Sequence, residues 1–296
     1  MAILHPQECY LLERFTSPEH YAETRDAVIA FINAHEAALS RYKHDIPLNS
    51  RKMPLWQQAD LVWENRVMPN MRDLPGHFTT RTIQRINNDP EAYSIGNAMG
   101  SIRKGIVEFW DGWMTEDEGI YIANCEYIAS QLDRKLSCTI SGVWMEGDLT
   151  YNSKELVSYF KMPNKIPLYE LDSSVRIEIN EKPSVTGIYL PDNDHASARF
   201  IYATYPYSPD ARTGVAFENY VDEDKVCHRY WTETNQVETG WTLIRRVEGV
   251  YIDVPPEGFF PEGKPEELYS WPQREKTLQQ SKMVRIAQWS AEISTH

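Results

Sequence analysis

Cysteine and long apolar runs are both scarce in this chain of 296 residues. The four cysteines (Cys9, Cys125, Cys138, Cys227) are too few and too scattered for a disulfide framework or a paired-cysteine metal site, so we interpret them as buried thiols in a reducing compartment. The longest apolar run, Ala27 to Ile32, falls far short of the roughly 18 residues of a membrane span. The first residues show neither the basic nor the apolar region of a secretory signal. A cytoplasmic location without a membrane partner is therefore expected.

Positive charge is also under-represented. Lys and Arg number 30 against 43 Asp and Glu, which gives a formal net charge of −13 and a pI near 5.1. Binding to a phosphate backbone needs clustered Lys and Arg, so direct binding of nucleic acid is not expected. An acidic surface would attract a basic protein partner, although the same acidity also keeps an ordinary protein in solution.

The familiar signatures of catalysis are missing. The sequence has no phosphate-binding glycine loop, no dinucleotide fingerprint, no G-x-S-x-G and no H-E-x-x-H. Asp192 and Asp194 begin like a calcium loop, but Ser197 replaces the glycine at position six, so a turn is favoured. Cys227 and His228 are neighbours in a predicted strand and point to opposite faces, so they cannot act as a pair. We predict no catalytic residue, metal or cofactor, and no enzymatic activity.

The first half has the periodicity of helices. Ser17 and Pro18 form an N-terminal cap, and apolar residues at helical spacing extend the helix to about Lys43. The stretch Leu55 to Met68 predicts a second helix that places Trp56 and Trp63 on one face and ends at Pro69. Further helices are predicted over Phe78 to Asn88, over Pro90 to Trp113, and after the capping box that begins at Thr115.

The helical periodicity ends near Leu136, and short β-rich runs separated by turns follow. The predicted strands are Leu156 to Phe160, Ile166 to Leu171, Val175 to Ile179, Gly187 to Leu190, Ala198 to Tyr205, Val215 to Tyr220, Lys225 to Thr232 and Trp241 to Val250. A proline-rich arm (255–272) and a terminal helix (Gln273 to Ile293) close the chain. The predicted fold class is α+β, with a helical bundle at 1–136 and a mainly antiparallel β domain with a C-terminal helix at 137–296.

Aromatic residues are plentiful, with 9 Trp and 17 Tyr. Trp and Tyr are favoured anchors in protein interfaces because they combine a large area with few rotors. One segment holds too many aromatics and prolines for all of them to point inward. With its acidic neighbours it forms a candidate partner-binding surface, although a surface loop with incidental tyrosines is an equal alternative. Its residues are Asp192, Asp194, Tyr202, Tyr205, Tyr207 and Asp210.

Two stretches of the second half resemble a known group of proteins. Thr186-Gly-Ile-Tyr-Leu-Pro-Asp192 and Gly240-Trp-Thr-Leu-Ile-Arg-Arg-Val247 are similar to the pattern of bacterial polymorphic-toxin immunity proteins, families 71 and 72. The resemblance implies a non-enzymatic protein that binds a toxin delivered between bacteria, commonly by type VI secretion, and neutralises it. The cognate toxin would be encoded next to this chain.

Other interpretations stay open at this stage. One is a carboxylate-based hydrolase without a recognised motif, using acids such as Glu170, Asp192 or Asp194, which would have to converge in a deep pocket. Another is a structural adaptor or chaperone. The sequence also leaves open whether the face of Trp56 and Trp63 packs within the chain or in a homodimer.

Overall fold

The computed structural model describes residues 2, 4–94, 96–149, 163–221 and 227–254, with the backbone alone at 219–221 and 227–230. Within these ranges helices come first and antiparallel strands follow, which makes the chain an α+β protein. The predicted strand at Leu156 to Phe160, the proline-rich arm and the terminal helix lie outside the described residues.

The helical part consists of six α-helices and several short turns of other helix types. The α-helices are α1 (Pro6–Phe15), α2 (Pro18–His44), α3 (Ala59–Val62), α4 (Met68–Ile86), α5 (Ala98–Ile106) and α6 (Glu116–Ser141). The shorter elements are 3-10 turns at Ser50–Lys52, Leu55–Gln57 and Pro90–Tyr93, and a π turn at Trp63–Val67. No sequence prediction anticipated α1.

Helix α2 confirms its prediction. The Ser17 side chain accepts a hydrogen bond from the His20 N–H, and Pro18 occupies the first turn, where its missing N–H costs nothing. Its apolar stripe, which includes Val28, Phe31 and Leu39, is buried in the helical core. The helix contacts α4 and α6, so it is the central element of the helical unit.

The prediction for 55–68 is wrong in two respects. Trp63 is buried, whereas Trp56 stands in a 3-10 turn and is exposed, so the two indoles do not share a face. Pro69 does not end the helix either. It lies in the first turn of α4, directly after the π turn, where its lack of an N–H is tolerated.

The predicted continuous helix from Pro90 to Trp113 is broken. The Asn97 side chain accepts from the Gly100 N–H and starts α5 there, while the buried Asp133 on α6 accepts from the Met99 N–H at 2.9 Å. Burial raises the pKa of Asp133 to about 6. Two side chains therefore fix the N-terminus of α5 and set it apart from the preceding turn.

Helix α6 begins at the predicted capping box. The Thr115 side chain accepts from the Glu118 N–H, and the Glu118 carboxylate accepts from the Thr115 N–H. Arg41 of α2 forms a bidentate pair with the same carboxylate. The helix ends at Gly142, which adopts the left-handed conformation that glycine tolerates best, so the predicted boundary near Leu136 lies inside α6.

The strands are all paired antiparallel, as predicted. One sheet has the order β1-β6-β2-β3 and the other pairs β4 with β5. The strands are β1 (Lys165–Ile177), β2 (Gly187–Pro191), β3 (Arg199–Ile201), β4 (Ala211–Val221), β5 (Cys227–Val237) and β6 (Trp241–Asp253).

Strand boundaries differ from the predictions where turns intervene. The predicted runs Ile166 to Leu171 and Val175 to Ile179 form the single strand β1, which ends at Ile177, so Ile179 lies outside the strand and is exposed. The run predicted from Ala198 to Tyr205 is a strand only over β3. The buried core of this part surrounds the fully buried Trp241, whose indole N–H donates to the Pro209 carbonyl at 2.8 Å.

The contacts divide the chain into two compact units. One, the helical unit, comprises 12–142 and 202–204. The other, the β unit, comprises, among the described residues, those up to 11 and those at 143–149, 163–201, 205–221 and 227–254. The cysteines described with their side chains are free thiols; Cys9 is buried, while Cys125 and Cys138 are only partly so.

His20 gives the helical unit a predictable response to acid. Its buried ring lies 3.1 Å from the Leu132 carbonyl, and burial lowers its pKa to about 3. The folded state therefore binds fewer protons than the unfolded state below pH 6.5, and stability is lost as the pH falls from there toward 3. Between pH 6.5 and pH 5, His20 should cost the wild type about 2 kcal/mol of unfolding free energy, measured by urea denaturation. The variant His20→Gln should not show this loss. An unchanged pH slope in the variant would contradict this assignment.

Candidate partner-binding surface

The acids of the predicted surface lie in the turn after β2. Asp192 is half-exposed and its carboxylate forms an ion pair with Arg176 at 2.8 Å, while Asp194 is exposed. Arg176 also pairs with Glu178 and donates to the Thr242 hydroxyl at 2.6 Å. Asp192 is therefore committed to a local network, and Asp194 is the more accessible of the two.

The two stretches that carry the resemblance meet in the sheet. Strand β2 pairs with β6, with Leu190 opposite Thr242 and Pro191 opposite Trp241. The Asp192 N–H donates to the Gly240 carbonyl at 3.0 Å. A Cβ at Gly240 would lie 2.5 Å from the Asp192 carboxylate, so only glycine fits there without a shift. These residues hold the sheet together, which favours a structural role for them.

The predicted tyrosines are separated. Tyr202 belongs to the helical unit and stacks on Tyr93 with ring centroids 5.4 Å apart. Tyr205 is half-buried against the core of the β unit, with the Arg199 guanidinium over its ring. Tyr207 is exposed, as is Asp210. Of the six predicted residues, Asp194, Tyr207 and Asp210 are thus the exposed ones.

The acids named for a hydrolase do not converge. Glu170 lies opposite Arg245 in the register of β1 with β6, whereas Asp192 follows Pro191, which lies opposite Trp241. Arg245 and Trp241 are four residues apart on β6, which is about 13 Å along the strand. Glu170 and Asp194 are both exposed. This geometry offers no shared pocket for the three carboxylates.

The β unit contains a buried carboxyl group that the sequence pattern did not predict. Glu8 of α1 has one oxygen 2.8 Å from the Ser197 hydroxyl and accepts from the Ala198 N–H with the other. Burial raises its pKa to about 8, and the nearby carboxylates of Glu146 and Asp148 add to the rise. Glu8 is therefore largely protonated at neutral pH.

The surroundings of Glu8 suit a structural role. Ser197 is buried, and its hydroxyl also lies 3.0 Å from the Ala198 carbonyl. A protonated Glu8 therefore donates to the Ser197 hydroxyl, which donates onward to that carbonyl.

The nearby pair of His195 and Glu146, 3.2 Å apart, has an exposed imidazole. Among the described residues no group of three or more His, Cys, Asp or Glu is arranged to hold a metal ion.

The helical unit carries an exposed apolar segment, which we call the apolar loop (residues 48–61). Its outward side chains are Leu48, which is fully exposed, Leu55 at 62% and Trp56 at 57%. In contrast, the carboxyl side chain of Asp60 is only 8% exposed. The loop thus exposes three large apolar side chains next to a carboxyl group that is largely buried, and clustered exposed apolar groups mark a candidate binding surface.

Polar contacts hold the apolar loop in this form. Arg51 forms a bidentate pair with Asp60 at 2.6 and 3.0 Å and donates to Gln58. Gln58 in turn donates to the Met53 carbonyl at 2.8 Å. The hydroxyl of Ser50 lies 3.3 Å from that of Tyr42 on α2. The loop is an ordered structure, which lowers the entropic cost of presenting its apolar groups.

Aromatic rings connect the apolar loop to the core. Trp56 contacts Trp110 edge to face, with centroids 6.2 Å apart, and the Trp110 carbonyl accepts from the buried Trp63 indole at 2.9 Å. Trp63 packs edge-on against Trp113 and stacks on His35. This loop was predicted as a helix because the spacing of Trp56, Ala59, Trp63 and Val67 in the sequence is that of one helical stripe. Pro47, directly before the loop, and Pro54 within it were the available signal.

Comparisons with known proteins add no relative. No protein-family model matches the chain, and searches of curated proteins and of solved structures find no match. In the described part of the chain, no helix combines the length and apolar character needed to cross a membrane.

Proposed function

We propose that this chain is an immunity protein, a non-enzymatic binder that neutralises a cognate antibacterial toxin by covering part of its surface. The toxin is the product of a neighbouring gene, of the kind delivered by type VI secretion. The motif resemblance at 186–192 and 240–247 supports the class, and the apolar loop supports binding as the mode of action.

The apolar loop is the observation that carries the proposal. Exposing Leu55 and Trp56 costs stability in water, and the segment that carries them is held by an ion pair between the exposed Arg51 and the largely buried Asp60. Interface hot spots are typically such aromatic and apolar anchors within a polar rim. The site presents a surface for a partner rather than a pocket for chemistry.

Charge indicates which partners fit. Trp56 contacts Trp110, and two acidic residues lie close to Trp110 in the sequence. These residues, Glu108 and Asp111, are both exposed. The whole chain carries a net charge of −13. A basic toxin would be attracted by the net charge of the chain, and its Arg or Lys side chains would find the carboxylates of Glu108 and Asp111 and the exposed indole of Trp56. A nuclease that acts in the cytoplasm has this character.

Co-elution tests this proposal. The purified chain and the purified toxin are expected to form a stable complex of one-to-one or two-to-two stoichiometry in size-exclusion chromatography, burying about 1,200 Å² or more. Separate elution at concentrations well above the cellular range would refute the proposed function. A complex in which the toxin keeps full activity would point instead to an adaptor or chaperone.

A further inference from the structure

Helix α6 exposes a second apolar stripe, opposite the one it buries. The buried side of the helix includes Ile122, Ala129 and Leu136, of which the first two belong to the core of the helical unit. The opposite face presents four large side chains that are 41–60% exposed: Ile120, Tyr121, Tyr127 and Ile128. Their spacing of i, i+1, i+7 and i+8 places them on one side of the helix.

This stripe is symmetric about Asn124. Isoleucine stands four residues before and four residues after Asn124, and tyrosine stands three residues before and three after it. Asn124 is itself exposed on the same face. When two copies of such a helix pair antiparallel about a two-fold axis at Asn124, Ile120 and Tyr121 of one copy lie level with Ile128 and Tyr127 of the other. A two-fold interface requires this kind of self-complementary surface.

Charges at the ends of the stripe favour the same arrangement. Glu116 and Asp117 are exposed at the N-terminus of α6, and Arg134 is exposed near its other end. Antiparallel pairing places Arg134 beside Glu116 of the second copy, within about 3 Å along the axis and on the same flank. It also places each helix dipole against the opposite end of its neighbour. A parallel pair would instead bring like charges together.

We propose that the stripe of α6 is the interface of a symmetric homodimer, in which Asn124 pairs with Asn124 of the second copy on the two-fold axis. A paired asparagine within an apolar helix seam fixes register and orientation. The seam is short, with four large apolar side chains from each copy, so we expect a dissociation constant in the micromolar range, about 1–100 μM. This inference concerns the chain alone and does not depend on the proposed toxin partner.

Sedimentation velocity over about 1–300 μM protein tests the dimer. The wild type is expected to shift from monomer to dimer across this range. Tyr121→Glu and Ile128→Glu should each remain monomeric, because they place a carboxylate in the seam. Ile83→Glu, at a similarly exposed isoleucine on α4, should dimerise like the wild type. Circular dichroism and thermal melts check that each variant is folded.

Cysteine cross-linking tests the antiparallel register. Ile120→Cys mixed with Ile128→Cys should give a disulfide-linked dimer under mild oxidation, whereas Ile120→Cys alone should give no more than the wild-type background. A wild type that stays monomeric at every concentration, or a dimer that survives both glutamate variants, would overturn the proposal. Equal cross-linking by Ile120→Cys alone would show a parallel pair and overturn it as well.

Discussion

Replacing Leu55 and Trp56 together with alanine is expected to weaken the complex with the cognate toxin by about 100-fold or more. These two side chains are adjacent in the apolar loop and both are more than half exposed, Leu55 at 62% and Trp56 at 57%. Both side chains are more exposed than buried, so the fold should survive their removal even though it takes away the edge-to-face contact of Trp56 with Trp110. Isothermal titration calorimetry of each protein against the toxin gives the two dissociation constants.

A matched double variant controls for a general loss of apolar surface. Ile83 and Ile86 on α4 are exposed to a similar extent in the same helical unit. The variant Ile83→Ala with Ile86→Ala should bind the toxin with wild-type affinity. If the two double variants weaken binding equally, or if neither does, the apolar loop is not the toxin-binding surface.

Stability of the β unit is expected to fall as the pH rises from about 4.5 to about 8, because of Glu8. Burial raises the pKa of Glu8 to about 8, so the folded state holds a proton that the unfolded state has already released. Stability from this group is complete below pH 4.5 and is lost progressively up to pH 8. The full shift corresponds to a loss on the order of 3–5 kcal/mol in unfolding free energy.

The variant Glu8→Gln isolates this contribution. A glutamine amide donates to Ser197 and accepts from the Ala198 N–H, as the protonated acid does, and it cannot ionise. Relative to the wild type, the variant should gain stability steadily between pH 5 and pH 8 in urea titrations. Glu170→Gln, at an exposed carboxylate of the same unit, should follow the wild-type slope. Parallel pH curves for Glu8→Gln and the wild type would show that Glu8 is ionised in the folded protein.

Local signals along the sequence predicted the elements that depend on local chemistry. Caps at Ser17 and Thr115 positioned the starts of α2 and α6, and alternating apolar runs located the strands. The antiparallel pairing followed from their short spacing. These features need only the residue and its near neighbours in the chain.

Features that depend on distant residues escaped prediction. The apolar loop is set by Arg51 meeting Asp60 and by Trp56 meeting Trp110, contacts that periodicity does not reveal. The buried Glu8 depends on Ser197, nearly two hundred positions along the chain. Helix α1 carries no cap signal strong enough to identify it. The tyrosine segment stays a prediction, and the binding surface that we propose is a loop that resembled a helix in sequence.

Growth of bacteria that express the neighbouring toxin gene shows whether this chain acts as an immunity protein. Cells that also express this chain should grow normally, while cells that lack it should stop growing. The Leu55→Ala and Trp56→Ala double variant should fail to protect, and the Ile83→Ala and Ile86→Ala variant should protect fully. Toxicity that the wild-type chain does not relieve would contradict the account.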